Sequence, residues 1–279
     1  MSERSVILLR HGERCDFVFN VGSSSWITRN FDSDGRYSPT DINMPRSLPQ
    51  RRDGWERYAH DTPITRIGHM QAKSTGDALR EAGVSIEAVY SSPAFRCVQT
   101  AGSVIEGYAG STTLNVNIEP GLIDFLQWYR NTLPSFMRPD ELKENGYPVN
   151  MAYEPITRLS SLPETESLEE YYDRSFCVMK GIVQRHSRGT ILIVAHAESL
   201  ETCTRQLCGG EPRSFEQFWY LIHHTPYVGC LHIVEKRSAW QFAEPPIPPL
   251  THAGNATYFW RQHSIPVVWL EKRMSAFSR

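Results

Sequence analysis

The chain has 279 residues, 40% of them hydrophobic and 22% charged. That balance belongs to a soluble globular protein and excludes a disordered chain, a coiled coil or a collagen-like fibre. Lys plus Arg is 29 against 31 for Asp plus Glu, a net charge of −2. No global basic field therefore points to nucleic acid, and an anion must be held by a local arginine cluster.

In chain order, residues 5–9 read as a buried strand. Residues 15–63 are rich in Ser, Asp, Asn, Pro and Arg with little periodicity, the mark of a functional insertion or lid. A helix runs from Thr65 to a stop at Gly83, with Ile67, Met70, Ser74, Ala78 and Ala82 on its expected buried face. Residues 88–90 form a second strand. A turn and a helix carrying Phe95, Val98, Gly102 and Ile105 follow, and then a third strand at 114–118. Residues 121–163 are a second irregular insertion. The pattern Ser167-Leu168-Glu169-Glu170 is a capping box opening a helix to about Arg188. The acids around it (Glu164, Glu166, Glu169 and Glu170) suit a helix N-terminus and need no other role. Residues 190–195 are a fourth strand, followed by a helix over 199–207, a further helix ending before Pro226, and strands at 229–235 and 240–242.

Strands alternating with helices predict an α/β fold: a mostly parallel sheet with helices on both faces, in one domain over 1–279. The longest aliphatic runs, 6–9 and 191–195, are far below the ~18 residues of a membrane span. Glu3 stands where a signal peptide would be basic. The expectation is a cytoplasmic protein with no membrane partner and with reduced, mostly buried thiols at Cys15, Cys97, Cys177, Cys203, Cys208 and Cys230.

Ligands of such sheets bind beyond the carboxyl ends of the strands. Four strand ends here carry titratable groups: Arg10-His11-Gly12-Glu13-Arg14 after the first, Arg96 after the second, Glu119, Gly121 and Asp124 after the third, and His196-Ala197-Glu198 after the fourth. A neutral imidazole can attack phosphorus, and arginine forks match phosphate oxygens. Glu13 is a candidate for orienting the site from behind. His223 and His224 fall near a helix C-terminus, where a cation is favourable, and His69 and His186 fall on helix faces. No His, Cys or Asp spacing suggests a metal site, so the reading is metal-independent and cofactor-free.

Arg10-His11-Gly12-Glu13 resembles the signature of the histidine phosphatase (phosphoglycerate mutase-like) superfamily. So do residues 63–72, the run Ser91-Ser92-Pro93 to Ala101 around Arg96, and Val194-Ala195-His196. Within it the chain looks most like the phosphatase domain of the suppressor-of-T-cell-receptor-signalling (Sts/TULA) proteins and the insect ecdysteroid-phosphate phosphatases. Arg14-Cys15-Asp16, Glu119 to Leu122, residues 191–206 and the tail 244–252 carry that likeness. The resemblance implies His11 as nucleophile and Arg10, Arg14, Arg96 and His196 as a phosphate pocket. The family's general acid is a Glu; Asp124 holds its place, one methylene shorter, with Glu119 as alternative. The implied activity is phosphotyrosine-protein or steroid-phosphate hydrolysis, and the implied assembly a homodimer. A phosphoglycerate mutase or sugar bisphosphatase is the alternative within the fold, although Arg14-Cys15-Asp16 departs from the mutase pattern. A catalytically weak module that binds phosphorylated partners is the alternative outside catalysis. A mutase would need extra cations, for which Arg29, Arg36, Arg46, Arg51, Arg52 and Arg57 are the insertion candidates. Trp26, Phe31, Tyr37, Trp55, Phe125, Trp128, Tyr129 and Phe136 could instead wall an aryl-binding site.

Overall fold

The computed structural model describes residues 4–21, 24–108, 113–129, 133–251, 260–266, 269–271 and 274. Its apolar runs become the strands β1 (Ser5–Arg10), β2 (Ile86–Ser91), β3 (Val116–Ile118), β4 (Thr190–Ala195), β5 (Cys230–Lys236) and β6 (Ala239–Ala243). They form one sheet in the order β3-β2-β4-β1-β5-β6. The first four are parallel, and β5 and β6 add an antiparallel edge. The register sets Arg10 beside Ala195 and Ser91 beside Val194. Three strands therefore end level, and the residues just beyond them, His11, Ser92 and His196, emerge side by side.

Both faces of the sheet are covered, which is why its parallel strands are apolar without alternation. Ile7, Leu9, Val89, Leu192 and Val194 pack with α3 (Arg66–Glu81) and α4 (Phe95–Tyr108). Val6, Leu8, Ala88, Tyr90, Ile191 and Ile193 pack with α6 (Leu168–Gln184) and α7 (Ser199–Arg205). The capping box at Ser167 and Glu170 is formed as expected. Glu166, beside it, has a further role: it is buried, pairs with Arg174 at 2.6 Å and accepts the Leu126 amide.

The expected buried face of α3 is displaced by about one position. Met70 is 68% exposed, and the buried residues are Gly68, Gln71, Ala72, Thr75, Gly76 and Leu79. The cause is a close helix–helix approach. A Cβ on Gly76 would stand 2.1 Å from the Val104 carbonyl oxygen, and one on Gly107 2.0 Å from that of Lys73. Small residues, rather than the larger apolar ones, face the partner helix. Gln71 joins them because its side-chain oxygen accepts the Glu13 amide at 3.3 Å.

The two insertions are more ordered than their sequence suggests. The first contains α1 (Cys15–Phe19), α2 (Trp26–Asn30) and a 3₁₀ turn at Trp55–Ala59. Phe31 stacks on Trp55 at 4.8 Å and meets Tyr37, while Tyr58 reaches Phe95 at 5.7 Å. These rings form a small core that fastens the insertion to α4. The buried Asp61 reinforces the joint by accepting the Phe95 amide at 2.7 Å and Arg51 at 2.9 Å. The second insertion holds short 3₁₀ turns and α5 (Pro139–Glu144), and α8 (Phe215–His223) follows α7. Cys15, Cys97, Cys177, Cys203 and Cys208 are free, three of them buried, and Cys230 is buried as well. No helix among the described residues is long and apolar enough to cross a membrane.

Candidate active site

The strand-end residues converge. The His11 amide donates to the Ala195 carbonyl at 2.9 Å, and the rings of His11 and His196 lie edge to face, 5.7 Å apart. Gly12 makes the approach possible. Its amide donates to Thr100 Oγ1 on α4 at 2.9 Å, and a Cβ there would stand 2.8 Å from the Gly68 carbonyl oxygen. Three sequence-distant segments thus touch at one glycine.

Hydrogen bonding sets the tautomer of each histidine. Nδ1 of His11 lies 2.8 Å from the Gly12 carbonyl, which can only accept, so Nδ1 carries the proton and Nε2 the lone pair. Burial, then Arg96, Arg10, His196 and Arg14, push this imidazole well below its ordinary range, so it is neutral near pH 7. His196 accepts from Arg96 Nη2 at Nδ1 (3.1 Å) and meets Ser92 Oγ at Nε2 (2.9 Å). Burial drives its pKa down to about 3, although Asp124 pulls the other way.

Arg10, Arg14 and Arg96 line the same cleft of about 560 Å³ with both histidines. Arg10 is held by the Thr225 carbonyl and lies 4.4 Å from the Tyr227 ring centre. Arg14 forms a two-pronged pair with Asp16 (2.7 and 2.6 Å) over the Phe17 ring. Arg96 is buried in the first turn of α4 and donates to Asp124 at 2.6 Å. The Nε donors of Arg10 and Arg96 are buried and meet no acceptor among the described residues.

The acidic candidates separate cleanly. Asp124 lines the cleft with both oxygens engaged, Oδ2 by Arg96 and Oδ1 by the Tyr129 hydroxyl. Burial pushes its carboxyl up, but His196, Arg96 and Tyr129 outweigh that and hold it below the usual range. Glu119 is absent from the cleft lining. Its oxygens accept the amides of Gly121, Ile156 and Thr157 and the hydroxyl of Tyr153, which ties the second insertion to β3. Glu13 does the same for the loop before α3, accepting from Thr65 Oγ1 at 2.7 Å and Asn43 at 2.9 Å. Glu198, two residues past His196, is buried against the cleft and accepts from Trp128 Nε1 at 3.2 Å.

The cleft walls come from three places. The first insertion supplies Asp16, Phe17, Ala59 and His60, and the second supplies Trp128 and Tyr129. Trp219, Ile222 and His223 come from α8, which sequence reasoning left out of the site. His223 is thus a cleft residue in contact with the Trp219 ring at 4.6 Å. Nothing local to residues 215–223 signals this placement, because Phe215 and Trp219 prove to be exposed only once the chain is folded. The remaining candidate rings pack inward, and none of the six arginines of the first insertion lines the cleft. Arg51 is bound to Asp61, and Arg52 to Asp140 and Glu144. Among the described residues no group of three His, Cys, Asp or Glu side chains is arranged to hold a metal ion.

Residues 50–242 match the model of the histidine phosphatase superfamily, branch 1. The chain belongs to the histidine phosphatase superfamily. The match begins after the first histidine motif, and it is β1, paired with β4, that brings His11 to the rest of this histidine phosphatase fold. The chain is 42% identical over 265 residues to human ubiquitin-associated and SH3 domain-containing protein B, covering 93% of itself and 40% of that protein. It is 38% identical over 259 residues to the ecdysteroid-phosphate phosphatase of Drosophila melanogaster, covering 92% of itself and 34% of that protein. It therefore spans about two fifths or less of these relatives. The crystal structure of the ecdysone phosphate phosphatase of Bombyx mori in complex with tungstate is similar with a TM-score of 0.79 at 31% identity, covering 92% of this chain and 98% of that one.

Proposed function

We propose that this chain hydrolyses phosphate monoesters through a phosphohistidine on His11. The observation that carries the reading is a neutral imidazole with its lone pair on Nε2, set among three guanidinium groups and a second neutral histidine. His11 Nε2 attacks phosphorus as the ester oxygen departs. Arg10, Arg14 and Arg96 hold the phosphoryl oxygens while charge redistributes, the electrostatic part of phosphoryl transfer. Water then cleaves the phosphorus–nitrogen bond and restores the imidazole. A similar structure holding tungstate, itself a tetrahedral oxyanion, supports an anion of this shape.

The leaving group is, in this reading, aryl or apolar: a phosphotyrosine side chain, a steroid phosphate or a small aryl phosphate. Trp128, Trp219 and Phe17 at the cleft favour flat apolar surface. A phosphoglycerate or sugar bisphosphate would need a second set of cations, and the insertion arginines that could have supplied it lie elsewhere.

Rapid quenching during turnover of p-nitrophenyl phosphate tests the chemistry. Phosphate should be trapped in an acid-labile, base-stable linkage on His11. His11→Ala should lose several orders of magnitude in rate, vanadate should inhibit, and chelators should have no effect. Near-normal turnover by His11→Ala, or a wild-type enzyme that turns over without any trapped phosphate, rejects the mechanism. No turnover of any phosphate ester would leave a phospho-ligand-binding module as the better reading. A panel of phosphotyrosine peptides, steroid phosphates and 3-phosphoglycerate tests the substrate class, and preference for the last would overturn it.

A further inference from the structure

Three carboxyl groups line the cleft; Asp16 is taken by both prongs of Arg14, and the surroundings of the other two differ. Asp124 has each oxygen taken, one by a guanidinium and one by a phenol, both donors that favour the ionised form. Glu198 has Oε1 on the Trp128 indole, and no guanidinium or phenol is bonded to it among the described residues. It follows directly on the His196 segment, so β4 sets its position as firmly as that of the histidine. Trp128, its partner, is itself a cleft-wall residue.

We propose that Glu198 is the proton donor to the leaving-group oxygen, and the base that activates water afterwards, while Asp124 remains an ionised anchor for Arg96. This rests on the phosphohistidine reading. In the first step the nitrogen–phosphorus bond forms, the phosphorus–oxygen bond breaks, and the Glu198 proton passes to the departing oxygen. In the second step the Glu198 carboxylate takes a proton from water as that water attacks phosphorus. Phosphate leaves, His11 regains its lone pair, and Glu198 is protonated again.

The electrostatics agree with this division. Burial and the neighbouring Asp124 charge push the Glu198 carboxyl up, against its own backbone amide and the pull of Arg10 and Arg96, while Tyr171 on α6 faces it as a buried phenol. Two nearby carboxyl groups pushed apart in this way commonly divide acid and anion roles.

The test is the leaving-group dependence of kcat/KM, which reports the phosphorylation step alone. A phenolate leaves readily without a proton and an alkoxide does not. Glu198→Gln keeps the size and the Trp128 acceptor. It should lower kcat/KM for alkyl phosphates by about 10²–10⁴-fold, the usual worth of a general acid, and by less than about tenfold for p-nitrophenyl phosphate, whose retained turnover also reports folding. The alkaline limb of the alkyl-phosphate pH profile should disappear in the same variant. An equal loss across the series, no loss at all, or the selective pattern in Asp124→Asn instead of Glu198→Gln overturns the assignment. Trapping of phosphate on His11 separates the failures: if it traps and the pattern is missing, only the role of Glu198 falls.

Discussion

Arg96 Nη2 lies 2.6 Å from Asp124 Oδ2 and 3.1 Å from His196 Nδ1. One guanidinium nitrogen on α4 therefore joins the second insertion to the end of β4. That bond places Asp124, keeps it ionised and sets the His196 tautomer together.

Arg96→Lys should separate binding geometry from charge. A lysine is a point charge and cannot reach both partners as a planar fork. We expect kcat to fall about 10²–10³-fold, the usual cost of one lost transition-state donor. Arg96→Ala should also destabilise the fold by about 3–5 kcal/mol, because Asp124 is left as an unpaired buried charge. The double variant Arg96→Ala/Asp124→Asn should regain much of that stability in denaturant titrations without regaining activity. Failure to regain it would mean the pair is not the source of the loss.

Stability should fall on acidification, and the two histidines set the window. Both have folded-state pKa values below the ordinary imidazole value, His196 at about 3. Between pH 6.5 and 3 the unfolded chain takes up protons that the folded chain refuses. Stability therefore rises with pH through this range and is fully present above it, by up to about 1.4 kcal/mol per pH unit for each histidine. His196→Gln should flatten the slope of Tm against pH between 6.5 and 4. An unchanged slope would show that His196 is protonated in the folded state.

Glu119→Gln should damage the fold and spare the chemistry. The carboxylate accepts three amides and one phenol, and an amide nitrogen placed against those donors cannot accept. The expected cost is about 1–3 kcal/mol of stability, measured by denaturant unfolding, with the ratio of alkyl to aryl kcat/KM unchanged. A shifted ratio would return Glu119 to the reaction.

Trp219→Ala should change selectivity. The ring is 42% exposed, 5.5 Å from Trp128 and stacked on Phe215 at the cleft mouth. Its loss should raise KM for steroid or phosphotyrosine substrates about tenfold, roughly the worth of one aromatic contact. A small alkyl phosphate should be little affected. Equal effects on all substrates would point to a packing role.

The sequence by itself determined the layered α/β fold, because buried parallel strands are written as uninterrupted apolar runs and helices as amphipathic ones between them. It also determined that His11, Arg96, Asp124 and His196 belong near one edge, since strand carboxyl ends share a side of the sheet. Only the tertiary structure decided which face of α3 is buried, because glycines close the α3–α4 contact and displace the apolar stripe. Only it brought α8 to the cleft, since nothing local to residues 215–223 says what they face. The ionic states were decided there too. Asp124 is held as a carboxylate by groups 28 and 5 residues away, and the Glu198 carboxyl is pushed up by burial and by a carboxylate from another element. A residue's type and strand-end position are local properties, whereas its proton depends on neighbours that only folding assembles.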